Sequence, residues 1–137
     1  MRRLEFAELT LKMLDYFEEG LKRYRHRGNR LFTFLGEVPT PDIMVILADF
    51  FLRVEEIGWT IVGGLYEDKL IVIFRNDGLG KNAGRLATKA FGKLGSAGGH
   101  AASARAEVPL GNRSGDMPQR SAPWKKWQNF IIKRVEG

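Results

Sequence analysis

Leu70-Ile71-Val72-Ile73-Phe74 sets five apolar side chains in a row, three of them β-branched. A strand with one face in water alternates apolar and polar residues, so an unbroken run predicts a strand covered on both faces. Such a strand belongs in the middle of a sheet with further layers above and below it. Trp59 to Tyr66, joined to it through Glu67-Asp68, reads as its hairpin partner.

The covering layers are legible as helical patterns. Phe6, Leu9, Thr10, Met13, Leu14, Phe17, Leu21 and Tyr24 keep helical spacing, and Arg23, Arg25 and Arg27 with Gly28-Asn29 close that segment. Basic residues in a last turn complement the helix dipole. A nucleic-acid patch with Tyr24 and His26 interleaved is the alternative reading of the cluster. Leu31 to Leu35 predicts a short strand. Thr40 as N-cap and Pro41 at the first helical position then open a second helix, buried through Ile43, Ile46, Leu47, Phe50, Phe51 and Val54 and ended by Gly58. Ser103 to Leu110 alternates Ala104, Ala106 and Val108 against Arg105 and Glu107, the pattern of a half-buried strand. Gly111 to Pro123 is polar and reads as a mobile loop. Trp124, Trp127, Ile131 and Val135 mark a last helix, expected to pack on the sheet, with adsorption to a membrane surface as the other reading. The fold class expected is α/β, a single domain with a mixed sheet of about four or five strands flanked by helices.

The formal charge of +6 over 137 residues is concentrated in one stretch. Arg75, Lys81, Arg85, Lys89, Lys93 and Arg105 stand there against the single acid Asp77. Lys81, Arg85, Lys89 and Lys93 recur every fourth residue, while Ala83, Leu86, Ala87, Ala90, Phe91 and Leu94 follow the spacing of a buried helix face. The helix therefore buries one side and shows a basic stripe. A one-sign stripe creates a local field that draws polyanions, of which phosphates are the commonest.

Directly after it comes Gly95-Ser96-Ala97-Gly98-Gly99-His100, followed by small residues up to Arg105. Glycines allow successive N–H groups to point into one concavity, the way a loop wraps a phosphate, and His100 adds a side-chain donor. An ordinary helix-to-strand connection is the plainer reading of the same glycines.

Several other chemistries find no support. Gly78-Leu79-Gly80-Lys81-Asn82-Ala83 after a strand satisfies the dinucleotide pattern G-x-G-x-x-A, but no acid stands about 20 residues on to hold a ribose. The same stretch is not a phosphate-binding Walker loop, since Asn82 follows Lys81 and no glycine stands at Arg75. Without cysteine there is no disulfide, thiolate nucleophile or zinc-thiolate site, and the chain suits a reducing, cytoplasmic setting. His26 and His100 are the two histidines, and the acids are scattered, so no catalytic metal centre is expected. Ser96 lies near His100 in sequence, but no acid is spaced to orient that histidine. Met1-Arg2-Arg3-Leu4 begins like a signal peptide, yet Glu5 and Glu8 interrupt the apolar region, and no apolar run approaches a membrane span. Asn112-Arg113-Ser114 spells a glycosylation acceptor to which, with no secretory signal, no weight is given.

The order strand, Arg75, basic helix, Gly95-Ser96-Ala97-Gly98-Gly99-His100 and small-residue strand resembles the DHH-associated domain. This is the C-terminal substrate-binding half of DHH-superfamily phosphoesterases such as nanoRNases, pAp phosphatases and cyclic-dinucleotide phosphodiesterases. The resemblance spans roughly Ala48 to Leu110. Asn76 stands where that family favours serine, and Ser96-Ala97 replace glycines. It implies that Arg75 and His100 contact phosphate, that Gly98 and Gly99 give backbone donors, and that Lys81, Arg85 and Arg105 complete the phosphate-binding set. It also implies partners: short RNA or DNA oligonucleotides or small phosphorylated nucleotides, a catalytic DHH domain in cis or in trans, and a homodimer, with no membrane.

The aspartate and histidine motifs of the catalytic half are absent, so no catalytic residue and no cofactor are expected in this chain. Manganese is expected in the missing catalytic domain. On this reading residues 1–30 are a leading helix from that domain, 31–110 the substrate-binding domain, 111–123 a mobile loop and 124–137 a C-terminal helix. The chain is then either a fragment of a hydrolase or a stand-alone binding domain. RNA-binding relatives attached to alanyl-tRNA synthetases and editing proteins are the nearest alternative, and a dinucleotide-binding domain the next.

Overall fold

The computed structural model describes residues 9–111 and 115–137. The readings placed on Met1-Arg2-Arg3-Leu4, Phe6 and Asn112-Arg113-Ser114 lie outside these residues. Ten elements follow one another: α1 (Leu11–Arg23), β1 (Arg25–Arg27), β2 (Arg30–Glu37), α2 (Asp42–Phe51), β3 (Trp59–Tyr66), β4 (Lys69–Asn76), α3 (Ala83–Phe91), β5 (Ser96–Gly99), β6 (Ser103–Pro109) and α4 (Trp124–Glu136). The strands form a single sheet in the order β1-β2-β3-β4-β6-β5. β2 and β3 run parallel and every other neighbouring pair is antiparallel, so the sheet is mixed. It has six strands where about four or five were expected.

The apolar run behaves as its composition requires. β4 lies between β3 and β6, and Leu70 through Phe74 are all buried. Alternation then sorts its side chains by face. Leu70, Val72 and Phe74 join Phe32, Phe34, Ile61, Ala106 and Val108 under α3 and α4. Ile71 and Ile73 join Leu31, Leu35 and Val62 under α2, with Met13, Tyr16 and Phe17 of α1 at its margin. The molecule is thus a sheet between two helical layers. The first layer is anchored by Trp127, fully buried and stacked on Phe34 with centroids 5.7 Å apart. Burial of one large apolar side chain contributes about 1.5–3 kcal/mol, so this face carries much of the stability.

The helix starts follow local chemistry. Thr10 accepts a hydrogen bond from Met13 N–H at α1, and Asn82 does the same for Arg85 N–H at α3. At α2 the cap falls on Pro41, one residue later than expected, and the Thr40 hydroxyl accepts from Asp42 N–H at 3.3 Å. That helix ends at Phe51, seven residues before Gly58.

Two edges differ from the sequence reading. Arg25 to Arg27 do not close α1; they leave the helix and pair with β2 as the strand β1, turning back through Gly28 at φ 61°. The stretch from Gly95 to His100 is not an open loop, because Ser96 to Gly99 pair with β6 as the edge strand β5. Further on, the irregular segment before α4 is held by contacts over its described part. Met117 is buried in the core, Trp127 Nε1 donates to Gln119 O at 3.1 Å, and Arg120 Nη1 donates to Glu67 O at 2.6 Å.

Candidate functional site

The C-terminal end of β4 and the turn between β5 and β6 meet at one corner of the sheet. Asn76, buried at the end of β4, fixes that meeting. Its Nδ2 donates to Ala101 O at 2.8 Å, its Oδ1 accepts from Gly78 N–H at 2.7 Å, and its own N–H donates to Ala102 O at 3.1 Å. The carbonyls of Ala101 and His100 in turn accept from Ala83 N–H at 2.7 Å and Gly84 N–H at 3.0 Å. The first N–H groups of α3 are therefore spent on the chain itself. An anion cannot use them as it would at an open helix start.

This geometry disposes of the dinucleotide pattern. The strand that follows α3, β5, runs parallel to β4 with β6 between them, but the first N–H groups of α3, which would have to hold a pyrophosphate, are already bound to the Ala101 and His100 carbonyls. Lys81 precedes the helix and is bound to Asp77, with Nζ 2.7 Å from Oδ1. That hydrogen bond, before any other influence, holds the Asp77 carboxyl below its ordinary range. The expected four-residue stripe is thus shorter than its spacing suggested. Arg85 and Lys89 stand on α3, whereas Lys81 and Lys93 flank it.

Arg75, Gly98, Gly99, His100 and Arg105 converge. Together with Val45 of α2 and Ile73, Ser103 and Ala104, they line a concavity of about 270 Å³ beside α2. Strand pairing explains why. Arg75 stands opposite Ser103, Ile73 opposite Arg105, and Arg105 opposite Gly98, so these positions share one face. α2 packs on β3 and β4 of that face, and the floor runs on past it to the β5 edge. Arg75 Nε lies 3.6 Å from the half-exposed Asp49 carboxylate of α2. Arg105 Nε contacts Glu107 at 2.8 Å, and Lys69 Nζ donates to the same carboxylate at 3.1 Å. The Lys69 hydrogen bond leads in holding Glu107 below its ordinary carboxyl range, with Arg105 adding to it against the opposing effect of burial.

The glycine pair also opens to the other side. Gly98 and Gly99, with Asn82, Gly84, Arg85, Thr88 and Lys89, line a second, broader concavity of about 630 Å³ between β5 and α3. His100 N–H donates to Ser103 O at 2.7 Å, and the alternation of antiparallel pairing therefore aims Gly98 N–H at Arg105 and turns Gly99 N–H off the sheet edge. Gly99 is the sterically constrained member of the pair. Its φ is +157°, and a Cβ there would strike Ser103 O and sit 2.5 Å from Ala104 Cα. A Cβ at Gly98 would meet nothing within 4 Å. Sequence reasoning missed Asn76 and Asn82 as organisers of this corner; an Asn at a strand end followed by Gly, and one before an apolar helical pattern, are the available signals.

Among the described residues no group of three or more His, Asp or Glu could hold a metal, so they provide no site for manganese. No helix among them is long and apolar enough to cross a membrane.

No family model matches the chain. An uncharacterized protein of Methanocaldococcus jannaschii is 31% identical over 109 residues, which are 79% of this chain but only 22% of that protein. The chain thus spans about a fifth of the length of this curated relative. Among solved structures, the C-Ala domain of the Aquifex aeolicus alanyl-tRNA synthetase matches with a TM-score of 0.55 at 16% identity, over 84% of this chain and 99% of that one. A pGpG-specific phosphodiesterase from Vibrio cholerae matches at 0.55 and 14% identity, over 90% of this chain and 38% of that one. The DHH domain of a member of a family of ribosomal proteins matches at 0.52 and 16% identity, over 90% of this chain and 30% of that one. These likenesses establish the fold. The chain has the fold of a DHH-associated domain, as the order of Arg75, α3 and the Gly98-Gly99-His100 segment implied.

Proposed function

We propose that this chain is the substrate-binding domain of a DHH-type phosphoesterase, holding phosphate groups of short oligonucleotides or small nucleotides for a separate, manganese-dependent catalytic domain. The observation that carries the reading is the convergence of Arg75, Arg105 and His100 on the Gly98–Gly99 edge in one open concavity. Two guanidinium groups supply charge and paired donors that match phosphate oxygens. His100 is exposed and donates from the rim. Gly99 N–H, turned off the sheet edge, is the backbone donor, and Arg85 on α3 approaches the same edge from the opposite side. Lys81 contributes to the field rather than to contact, since Asp77 holds it. The likeness to a phosphodiesterase that exceeds the chain in length supports a division of labour between binding here and bond cleavage elsewhere.

A second reading, a stand-alone RNA-binding domain, is favoured by the match to nearly the whole of the C-Ala domain. Calorimetric titration with a 5′-phosphorylated dinucleotide at two salt concentrations tests the first. We expect weak binding that falls as salt rises, and a loss of roughly 1.5–3 kcal/mol on His100→Ala with little change in melting temperature. Unchanged affinity together with a large fall in melting temperature would make His100 structural and remove the proposal.

A further inference from the structure

The opposite edge of the sheet carries a different arrangement. The C-terminal turn of α1, the start of β1 and the first two turns of α4 enclose a concavity of about 400 Å³ lined by Lys22, Arg23, Tyr24, Arg25, Trp124 and Lys125 together with Gln128 and Asn129. Four of these are cations and none is an acid. Lys22 and Arg23 are each paired within α1, to Glu18 at 3.6 Å and Glu19 at 2.8 Å. Arg25 and Lys125 have no carboxylate partner among the described residues; Arg25 Nη1 donates only to Asn129 Oδ1 at 3.5 Å. One aromatic ring stands among these charges. The Arg23 guanidinium lies 5.0 Å and Lys125 Nζ 5.8 Å from the Trp124 ring centroid, while the Tyr24 ring turns to Phe51 of α2, with centroids 5.8 Å apart.

We infer that this β1-edge patch is a binding surface for a single-stranded nucleic acid, separate from the Arg75–His100 concavity. Cations alone would accept any polyanion. The half-buried Trp124, with the Arg23 guanidinium over its ring, adds planar groups on which bases stack, which an acidic polypeptide has no use for. Arg25 and Lys125 reach the phosphates. β1 and β5 are the two ends of a six-stranded sheet, about 24 Å apart at the usual strand spacing, so a dinucleotide held at one edge does not reach the other. A strand of many nucleotides does.

The experiment is fluorescence anisotropy of the full chain with a labelled 20-nucleotide single-stranded RNA over a salt series. The double substitution Arg25→Ala/Lys125→Ala is compared with the unaltered chain, with poly-glutamate as the rival polyanion. Both replaced side chains are exposed, and an unchanged melting temperature confirms that the variant folds. The inference expects RNA affinity to fall roughly tenfold near 0.1 M salt, and the slope of log affinity on log salt to drop by about 1.4, two phosphate contacts' worth. It also expects affinity for a 5′-phosphorylated dinucleotide to stay as it was. Unchanged RNA affinity and slope would overturn it. So would poly-glutamate binding as tightly as RNA, which would make the patch an acceptor of acidic chains. A matching loss of dinucleotide affinity would show that the two edges are not separate sites.

Discussion

Gly98 and Gly99 are neighbours in sequence with opposite constraints. A methyl group on Gly99 is forced against Ser103 O and Ala104 at a backbone angle that side chains rarely adopt, whereas one on Gly98 enters open space. Gly99→Ala is expected to cost roughly 1–3 kcal/mol of stability and Gly98→Ala well under 1, checked by urea unfolding. Equal effects would mean that β5 does not pair with β6 as described. Asp49 offers a complementary substitution. Its carboxylate lies 3.6 Å from Arg75 and more than half of its side chain is exposed, so it competes with a phosphate for that guanidinium. Asp49→Asn should strengthen binding of a phosphorylated dinucleotide about two- to fivefold, within the ~0.2–1 kcal/mol of an exposed pair, and calorimetry at low salt reads it. The converging residues Arg75, Gly98, Gly99, His100 and Arg105 were legible from charge and glycine placement. Asp49 was not, because its approach to Arg75 depends on how α2 crosses the sheet.

β6 shows how an element can be read while its neighbour is missed. The alternation of Ala104, Ala106 and Val108 against Arg105 and Glu107 predicts a strand, and the structure has one over Ser103–Pro109. β5 next to it consists of Ser96, Ala97, Gly98 and Gly99, which have too little side chain to show any period. β1 is three exposed residues, Arg25, His26 and Arg27, whose charges hid a strand by suggesting a helix end. Both are short edge strands fixed by pairing to a longer neighbour, a source of order that local sequence does not record. Glu107 of β6 makes the acid stability of this region testable. Its folded-state carboxyl is held below the ordinary value of 4.5, first by Lys69 and then by Arg105. Its contribution is therefore complete above that value and is lost as pH falls through the depressed one. Thermal melts from about pH 6 down to about pH 3 should show Glu107→Gln losing less stability on acidification than the unaltered chain. Parallel curves would show that the pair contributes nothing.

The molecule as a whole is lopsided in a way that matters for its use. α3 and α4 roof one face of the sheet, and α1 and α2 the other, but α2 packs on β3 and β4 while the β6–β5 end extends past it toward solvent. The three-layer plan followed from the buried run Leu70–Phe74 and from helical periodicity. The lopsidedness did not, because it depends on strand order, and β6 inserts between β4 and the earlier β5. Arg75, His100 and Arg105 are gathered at the uncovered end. An amide-resolved NMR titration of the chain with a 5′-phosphorylated dinucleotide examines that gathering residue by residue. The account predicts shifts concentrated at Arg75, Gly98, Gly99, His100 and Arg105, with a weaker response at Arg85 and none at Arg25 or Lys125. Shifts centred away from this corner, or none at ligand concentrations well into the millimolar range, would contradict it.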